Sequence, residues 1–158
     1  MISKTRAQQT PSLTLITGGT GCGKTWLATH IVRQMIGRIP QIIVLEKHDE
    51  YGAPLQRSRS LARKKTSLRV VKIRSAHAAR NFLRALYRNR STQPLENGRQ
   101  THVLLVLDGW SAAEMKPALP LFWKRRELLV SILVVGQDLA DLARELWTTP
   151  PKEGSLPS

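Results

Sequence analysis

Eight consecutive residues, Gly18-Gly19-Thr20-Gly21-Cys22-Gly23-Lys24-Thr25, have the types and spacing that holding a phosphate chain requires. Gly18, Gly23, Lys24 and Thr25 occupy the fixed places of the pattern G-x-x-x-x-G-K-[ST]. The glycines let the backbone turn and bring its N–H groups against phosphate oxygens. Lys24 is placed to reach the β- and γ-phosphates, and the Thr25 hydroxyl to bind Mg²⁺. A plain glycine-rich turn would account for the glycines but leaves the Lys-Thr pair unexplained. Nucleotide binding follows, and with it a requirement for a strand before the loop and a helix after it. Leu13-Thr14-Leu15-Ile16 supplies an apolar strand, and the run from Trp26 to Met35 supplies a helix whose free amides and dipole favour an anion.

Two further strand ends carry candidate chemistry. His102-Val103-Leu104-Leu105-Val106-Leu107-Asp108 is an apolar run that closes on an aspartate, some eighty residues after the phosphate loop. In nucleotide hydrolases of this class such an aspartate supports the Mg²⁺ shell with the loop threonine. The run from Leu128 to Gly136 ends in Gln137-Asp138, where a polar side chain can sense the γ-phosphate or orient water. Glu46-Lys47-His48-Asp49-Glu50-Tyr51 follows a third apolar run, residues 41–45; these acids either face the site or form a polar loop. Cys22, the single cysteine, reads as a small loop residue rather than a nucleophile, and disulfides play no part. His30, His48, His77 and His102 lack ligand spacing, which argues against a zinc site.

The composition points to a polyanionic partner. Lys and Arg number 25 against 11 Asp and Glu, a formal net charge of +14, which favours nucleic acid over membrane. Twelve basic residues and no acid lie between Gln56 and Ser91. Arg57, Arg59, Arg63, Lys64, Lys65, Arg80, Arg84 and Arg88 are the expected contacts to a DNA backbone; the competing reading is a solvated face. Mixed signs would serve solubility better than this segregation. Backbone contacts of this kind read no base sequence. No apolar run approaches the roughly 20 residues of a membrane span, and the polar start is no signal peptide.

The elements that must position these residues make one domain of a 158-residue chain, 41% hydrophobic. Residues 1–11 read as a flexible lead, 12–147 as a nucleotide-binding domain and 148–158 as a disordered tail, with a basic insert and helix over 53–90. Residues 52–69 read as loop because of Pro54 and the Ser-Arg steps, and 91–100 as a turn. Residues 69–73 make a short strand near a sheet edge, since its alternate positions are charged. Ala79, Phe82, Leu83 and Leu86 give residues 76–90 an apolar helical face, with Arg80, Arg84 and Arg88 on another. Residues 111–126 form a helix broken at Pro117 and Pro120, and 139–147 a last amphipathic helix. The predicted fold is a three-layer α/β/α sandwich on a mostly parallel sheet of about five strands, with the phosphate loop at the sheet centre.

The phosphate loop, the strand ending in Asp108 and the later strand ending in Gln137 together resemble the HerA–FtsK superfamily of DNA-translocating ATPases. Within it the chain is similar to the small genome-packaging ATPases of viruses and to phage-assembly ATPases, over about residues 12–140. Asp49-Glu50-Tyr51 is similar to the acidic, aromatic turn with which that superfamily ends its second strand. The resemblance implies ATP and Mg²⁺ as cofactors, a homo-oligomeric ring on DNA, and a trans-acting arginine about eleven residues before the glutamine, which falls on Arg126 beside Arg125. There are two departures. The family usually places a catalytic acid directly after the magnesium aspartate, and here that slot is Gly109, with Glu114, Glu46, Asp49 and Glu50 as the nearest acids. No further strand follows Gln137, so the sheet is expected to end at the phosphate-loop strand and leave an edge open to a neighbouring chain or an accessory domain.

The leading functional expectation is therefore an ATP-driven DNA translocase or genome-packaging ATPase, with Lys24, Gln137 and Arg126 as its catalytic groups, in the cytoplasm of a host or in a virion. A second is a nucleotide-switched DNA- or partner-binding accessory protein of plasmid maintenance or conjugation, with little turnover. A third is a P-loop kinase for a small metabolite, for which the Arg57–Arg69 stretch would be a lid; an acid-led acceptor pocket is not apparent. The guanine-reading Asn/Thr-Lys-x-Asp pattern is absent.

Overall fold

A computed structural model of the protein describes residues 10–61, 66–92 and 101–148. Most of the predicted lead and tail, Arg63, Lys64, Lys65 and most of the 91–100 turn lie outside the described residues, as does the side chain of Arg59. Five strands form one all-parallel sheet: β1 (Leu13–Thr17), β2 (Gln41–Glu46), β3 (Ser67–Lys72), β4 (Val103–Asp108) and β5 (Val130–Gly136), in the spatial order β1-β5-β4-β2-β3. β2, β4 and β5 are the interior strands, which is why they read as unbroken apolar runs. The predicted layers and sheet are borne out. The phosphate-loop strand, however, is an edge strand and not central, as expected from the lack of a strand after Gln137.

Two cores lie on opposite faces. Helices α1 (Lys24–Met35) and α2 (Gly52–Leu61) cover one face, burying Ala28, Val32, Tyr51 and Leu55 against Ile42, Val44, Val106 and Val135. Helix α3 (Ala76–Thr92), short helices α4 (Ala112–Met115), α5 (Leu119–Trp123) and α6 (Arg125–Leu128), and α7 (Ala140–Thr148) cover the other. There Leu83, Met115, Phe122 and Leu142 meet Leu45, Leu105, Leu107 and Val134.

One local expectation needs correction. Residues 52–61 are helix, not loop, because Pro54 falls in the first turn, where a missing N–H costs no intrahelical bond. The expected break of the 111–126 segment at Pro117 and Pro120 is present: each sits at the start of a new piece, a 3-10 turn at Lys116–Ala118 and then α5. Arg90, one of the twelve basic residues between Gln56 and Ser91, is no surface cation. It is 4% exposed, and its guanidinium donates to the carbonyls of Leu128 (2.8 Å) and Thr101, tying the end of α3 to the closing turn of α6 and the approach to β4.

Candidate nucleotide site

Register brings the site together. Along the carboxyl edge of the sheet Thr17 lies beside Gly136, Val135 beside Asp108, and Asp108 beside Glu46. The phosphate loop, Gln137, Asp108 and Glu46 therefore emerge side by side from neighbouring strands, where ligands of open α/β sheets bind. The loop enters α1 through Gly23, whose φ of +86° would strain a side-chain-bearing residue. At Gly18 the constraint is space: a Cβ there would stand 2.7 Å from Cys22 Sγ, which accounts for the small pair. Lys24 Nζ donates to the carbonyls of Gly18 (2.8 Å) and Gly19 (2.7 Å), so its charge is folded over the loop. Thr17 Oγ1 donates to the Gln137 carbonyl at 2.9 Å, and the Gln137 amide donates to Thr20 Oγ1, which seats the glutamine against the loop.

Thr25 Oγ1 donates to Asp108 Oδ2 at 3.0 Å, across 83 residues of sequence. The same oxygen accepts from Tyr51 OH at 2.6 Å. Tyr51 is fully buried, and its backbone N–H, with that of Glu50, donates to Glu46 Oε2 at 3.1 and 3.0 Å. A continuous chain thus runs from Glu46 through Tyr51 to Asp108 and Thr25. Burial lifts the Asp108 carboxyl above the ordinary aspartate range against the lowering effect of its two hydrogen bonds, and the Glu50 charge adds to the rise. Burial likewise raises Glu46, although the two backbone N–H groups oppose it, and it raises the Tyr51 phenol together with the Asp108 charge. Thr25 and Asp108 are hard oxygen donors of the number Mg²⁺ takes from protein, the rest coming from phosphates and water. The donor set fits that ion.

The acids after β2 divide. Glu46, His48, Glu50 and Tyr51 line a narrow cleft with Asp108, whereas Asp49 pairs with Lys72 at 3.5 Å. Glu114 is also committed. Lys47 Nζ donates to both its oxygens at 3.0 and 2.9 Å, and Ser111 and Glu114 cap α4 reciprocally. Burial would raise the Glu114 carboxyl, but the Lys47 bonds, the Ser111 amide and the Lys47 charge outweigh it and hold it below the usual range. Lys47 also lies over the Trp110 ring, 4.7 Å from its centre. Gly109 has φ +88°, and its N–H donates to the Val135 carbonyl at 3.1 Å; a Cβ there would face Lys47 at 3.5 Å. The slot after Asp108 is shaped for glycine, and an acid placed there would be strained and turned toward the lysine.

Other expected residues are placed elsewhere. Arg126 is exposed on α6, at the amino end of β5, so a seven-residue strand, about 20 Å long, separates it from Gln137. It is remote from the nucleotide site of its own chain. Arg125 beside it turns inward to donate to the Phe122 carbonyl at 2.8 Å. The basic run does not make one flat surface. Arg57 is on α2 and Arg80, Arg84 and Arg88 are exposed on α3, on opposite faces, with Arg69, Lys72 and Arg74 exposed on or just after edge strand β3 between them. The run wraps that edge. A larger cavity of about 360 Å³ lies at the other end of the sheet, lined by Ser12, Met35, His102 and Ser131, away from the phosphate loop.

Tyr51 is the residue that sequence reasoning did not place in the site, and Glu46 was offered there only as one of several nearby acids, not as the group that holds Tyr51. Their trace was the turn Asp49-Glu50-Tyr51 after a buried strand, but nothing linear showed that the tyrosine returns under the sheet to Asp108.

The family model described as the central domain of helicase HerA matches residues 14–114. Among solved structures, the pCW3 conjugation coupling protein TcpA, in a monomer form with ATPγS, is similar at 16% identity and a TM-score of 0.49. The match covers 82% of this chain and 44% of that one, so this chain spans less than half of the coupling protein's length. No curated protein matches.

Proposed function

Because this chain belongs to the family of the HerA helicase central domain, we propose that it is a Mg²⁺-dependent ATPase that moves DNA as an oligomer. The observation that carries the reading is the Thr25–Asp108 contact at 3.0 Å, which joins the two magnesium-binding groups at the mouth of a complete phosphate loop. In this reading the loop amides of residues 19–25 bind the phosphates, and Lys24 leaves the loop carbonyls to neutralise the β- and γ-oxygens. Thr25 and Asp108 hold Mg²⁺, which when bound neutralises charge on those oxygens. Gln137, seated against Thr20, orients the attacking water. Glu50 lines the Asp108 cleft and, among the described residues, neither pairs with a cation nor caps a helix, whereas Glu46 there is held by the Glu50 and Tyr51 amides; we assign Glu50 the proton-accepting role that the Gly109 slot lacks.

Arg126 then serves a neighbouring subunit's nucleotide, which its distance from its own site supports. The wrapped basic edge, Arg57 with Arg80, Arg84 and Arg88, and by sequence Arg59, Arg63, Lys64 and Lys65, holds the DNA backbone. Packaging of a viral genome, in a host cell or virion, and plasmid transfer by conjugation are two tasks such a motor can serve. Among the described residues no helix is long and apolar enough to cross a membrane.

The test is steady-state ATP hydrolysis with and without double-stranded DNA. DNA should raise the rate, and Lys24→Ala and Arg126→Ala should each abolish it. Mixing the two variants should restore part of it, since each then supplies what the other lacks. The left-handed Gly109 favours one second reading, a nucleotide switch that gates DNA or partner binding with little turnover. Wild-type protein that binds ATP but turns it over no faster than Lys24→Ala would decide for the switch.

A further inference from the structure

The phosphate loop accounts for the charge of a nucleotide and not for its base, while one large side chain at the loop's margin lies outside both hydrophobic cores. Trp26, next to Thr25 on α1, is 72% exposed. Helical side chains lean toward the amino end of their helix, so Trp26 leans toward the phosphate loop. His30, one turn later, stacks against it with ring centres 5.5 Å apart and planes 5° from parallel. Gln34, a further turn on, is 3.3 Å from the His30 ring nitrogen. This ladder backs one face of the indole and leaves the other turned to the loop. The loop's own surface is open as well: a Cβ built at Gly19, Gly21 or Gly23 would meet no atom within 4 Å.

We propose that Trp26, backed by His30, is the stacking platform for the base of the nucleotide whose phosphates lie in the loop. The proposal rests on the phosphate-loop reading above. A nucleotide seated on the loop presents its α-phosphate near the amides that open α1, which places ribose and base beside the first helical turn. The indole is already held flat by its ladder, so little freedom is lost when a base covers it. A π-face reads ring area and not exocyclic groups, so the site takes purine nucleotides ahead of pyrimidine ones and separates adenine from guanine poorly. A nucleic-acid strand is the competing occupant of an exposed tryptophan. Position favours the mononucleotide: α1 packs over β1 and β5, whereas the basic rim follows β3 at the opposite edge of the sheet.

Calorimetric titration of wild type, Trp26→Ala and Trp26→Phe with ATP, CTP and inorganic tripolyphosphate, each with Mg²⁺, tests this. Wild type should bind ATP more tightly than CTP or tripolyphosphate. Trp26→Ala should weaken ATP on the order of tenfold or more and leave tripolyphosphate unchanged, with Trp26→Phe recovering most of the loss. Unchanged ATP binding by Trp26→Ala overturns the proposal, and so does a variant that keeps ATP but loses single-stranded oligothymidylate. Failure of the wild type to bind tripolyphosphate overturns the phosphate-loop reading itself, and the platform with it.

Discussion

At the scale of single residues, one carboxylate oxygen organises the site. Asp108 Oδ2 accepts from both Thr25 and Tyr51, so the group that would bind Mg²⁺ is aimed before the ion arrives. Tyr51 is a positioning residue in this arrangement: its phenol fixes which oxygen of Asp108 faces the loop, and Glu46 fixes Tyr51. Tyr51→Phe removes one charge-assisted hydrogen bond and almost no volume. It should weaken nucleotide binding in Mg²⁺ by roughly tenfold while leaving binding in EDTA unchanged, as read by titration of a fluorescent ADP analogue. Glu50 and Glu114 make a second contrast. Glu114 is bound up with Lys47 and the α4 cap, whereas Glu50 lines the Asp108 cleft. Glu50→Gln should lower kcat by roughly a hundredfold or more with the KM for ATP little changed, and Glu114→Gln should not. Equal losses in both variants would rule out the assignment of Glu50 as the base.

At the scale of elements, the two ends of the sheet do different work. The carboxyl end gathers the groups proposed to hold the nucleotide, and the amino end is a structural knot. His102, just before β4, lies 2.7 Å from Ser131 Oγ of β5, and Ser131 Oγ also accepts from the Ser12 N–H ahead of β1. Burial holds the His102 imidazole below the ordinary histidine range, and the nearby Arg90 charge adds to this. The sign follows from linkage. A depressed folded-state pKa means that the unfolded chain binds the proton first, so stability is fully present above about pH 6.5 and falls as pH drops through that value. Urea midpoints should decline from pH 7.5 to pH 5.5 in the wild type, and the decline should be shallower in His102→Gln. The pieces between β4 and β5 belong to the same scale. Pro117, Pro120 and the left-handed Leu129 (φ +52°) break the path into short helices that set Arg126 outward and Arg125 inward.

At the scale of the molecule, the two sheet edges are unlike. β3 carries Arg69 and Lys72 and is flanked by exposed arginines on both faces, whereas β1, Leu13–Thr17, has no charged residue. An edge strand without charge is a template for pairing, and one with charge resists it. If Arg80, Arg84 and Arg88 each neutralise one DNA phosphate, replacing all three by Ala should flatten the slope of log K against log salt by about 0.9 per arginine. Fluorescence anisotropy of a labelled duplex across a salt series reads this directly; an unchanged slope would show that the α3 stripe is only solvated.

Much of this protein was legible in its linear order. The phosphate loop is a local structure in which spacing alone places the glycines, Lys24 and Thr25, and the apolar runs ending in Glu46, Asp108 and Gly136 announce buried parallel strands. The charge on β3 told its edge position. Other features were decided only by the tertiary structure, because they depend on which strands become neighbours. The order β1-β5-β4-β2-β3 sets Asp108 against Glu46 and brings Tyr51 beneath both. It also puts β3 between two helical layers, so a run that is continuous in sequence divides over two faces and an edge. Arg90 shows the limit most plainly: in sequence it belongs to the basic run between Gln56 and Ser91, and only the tertiary structure reveals the carbonyl of Leu128 that draws it inside.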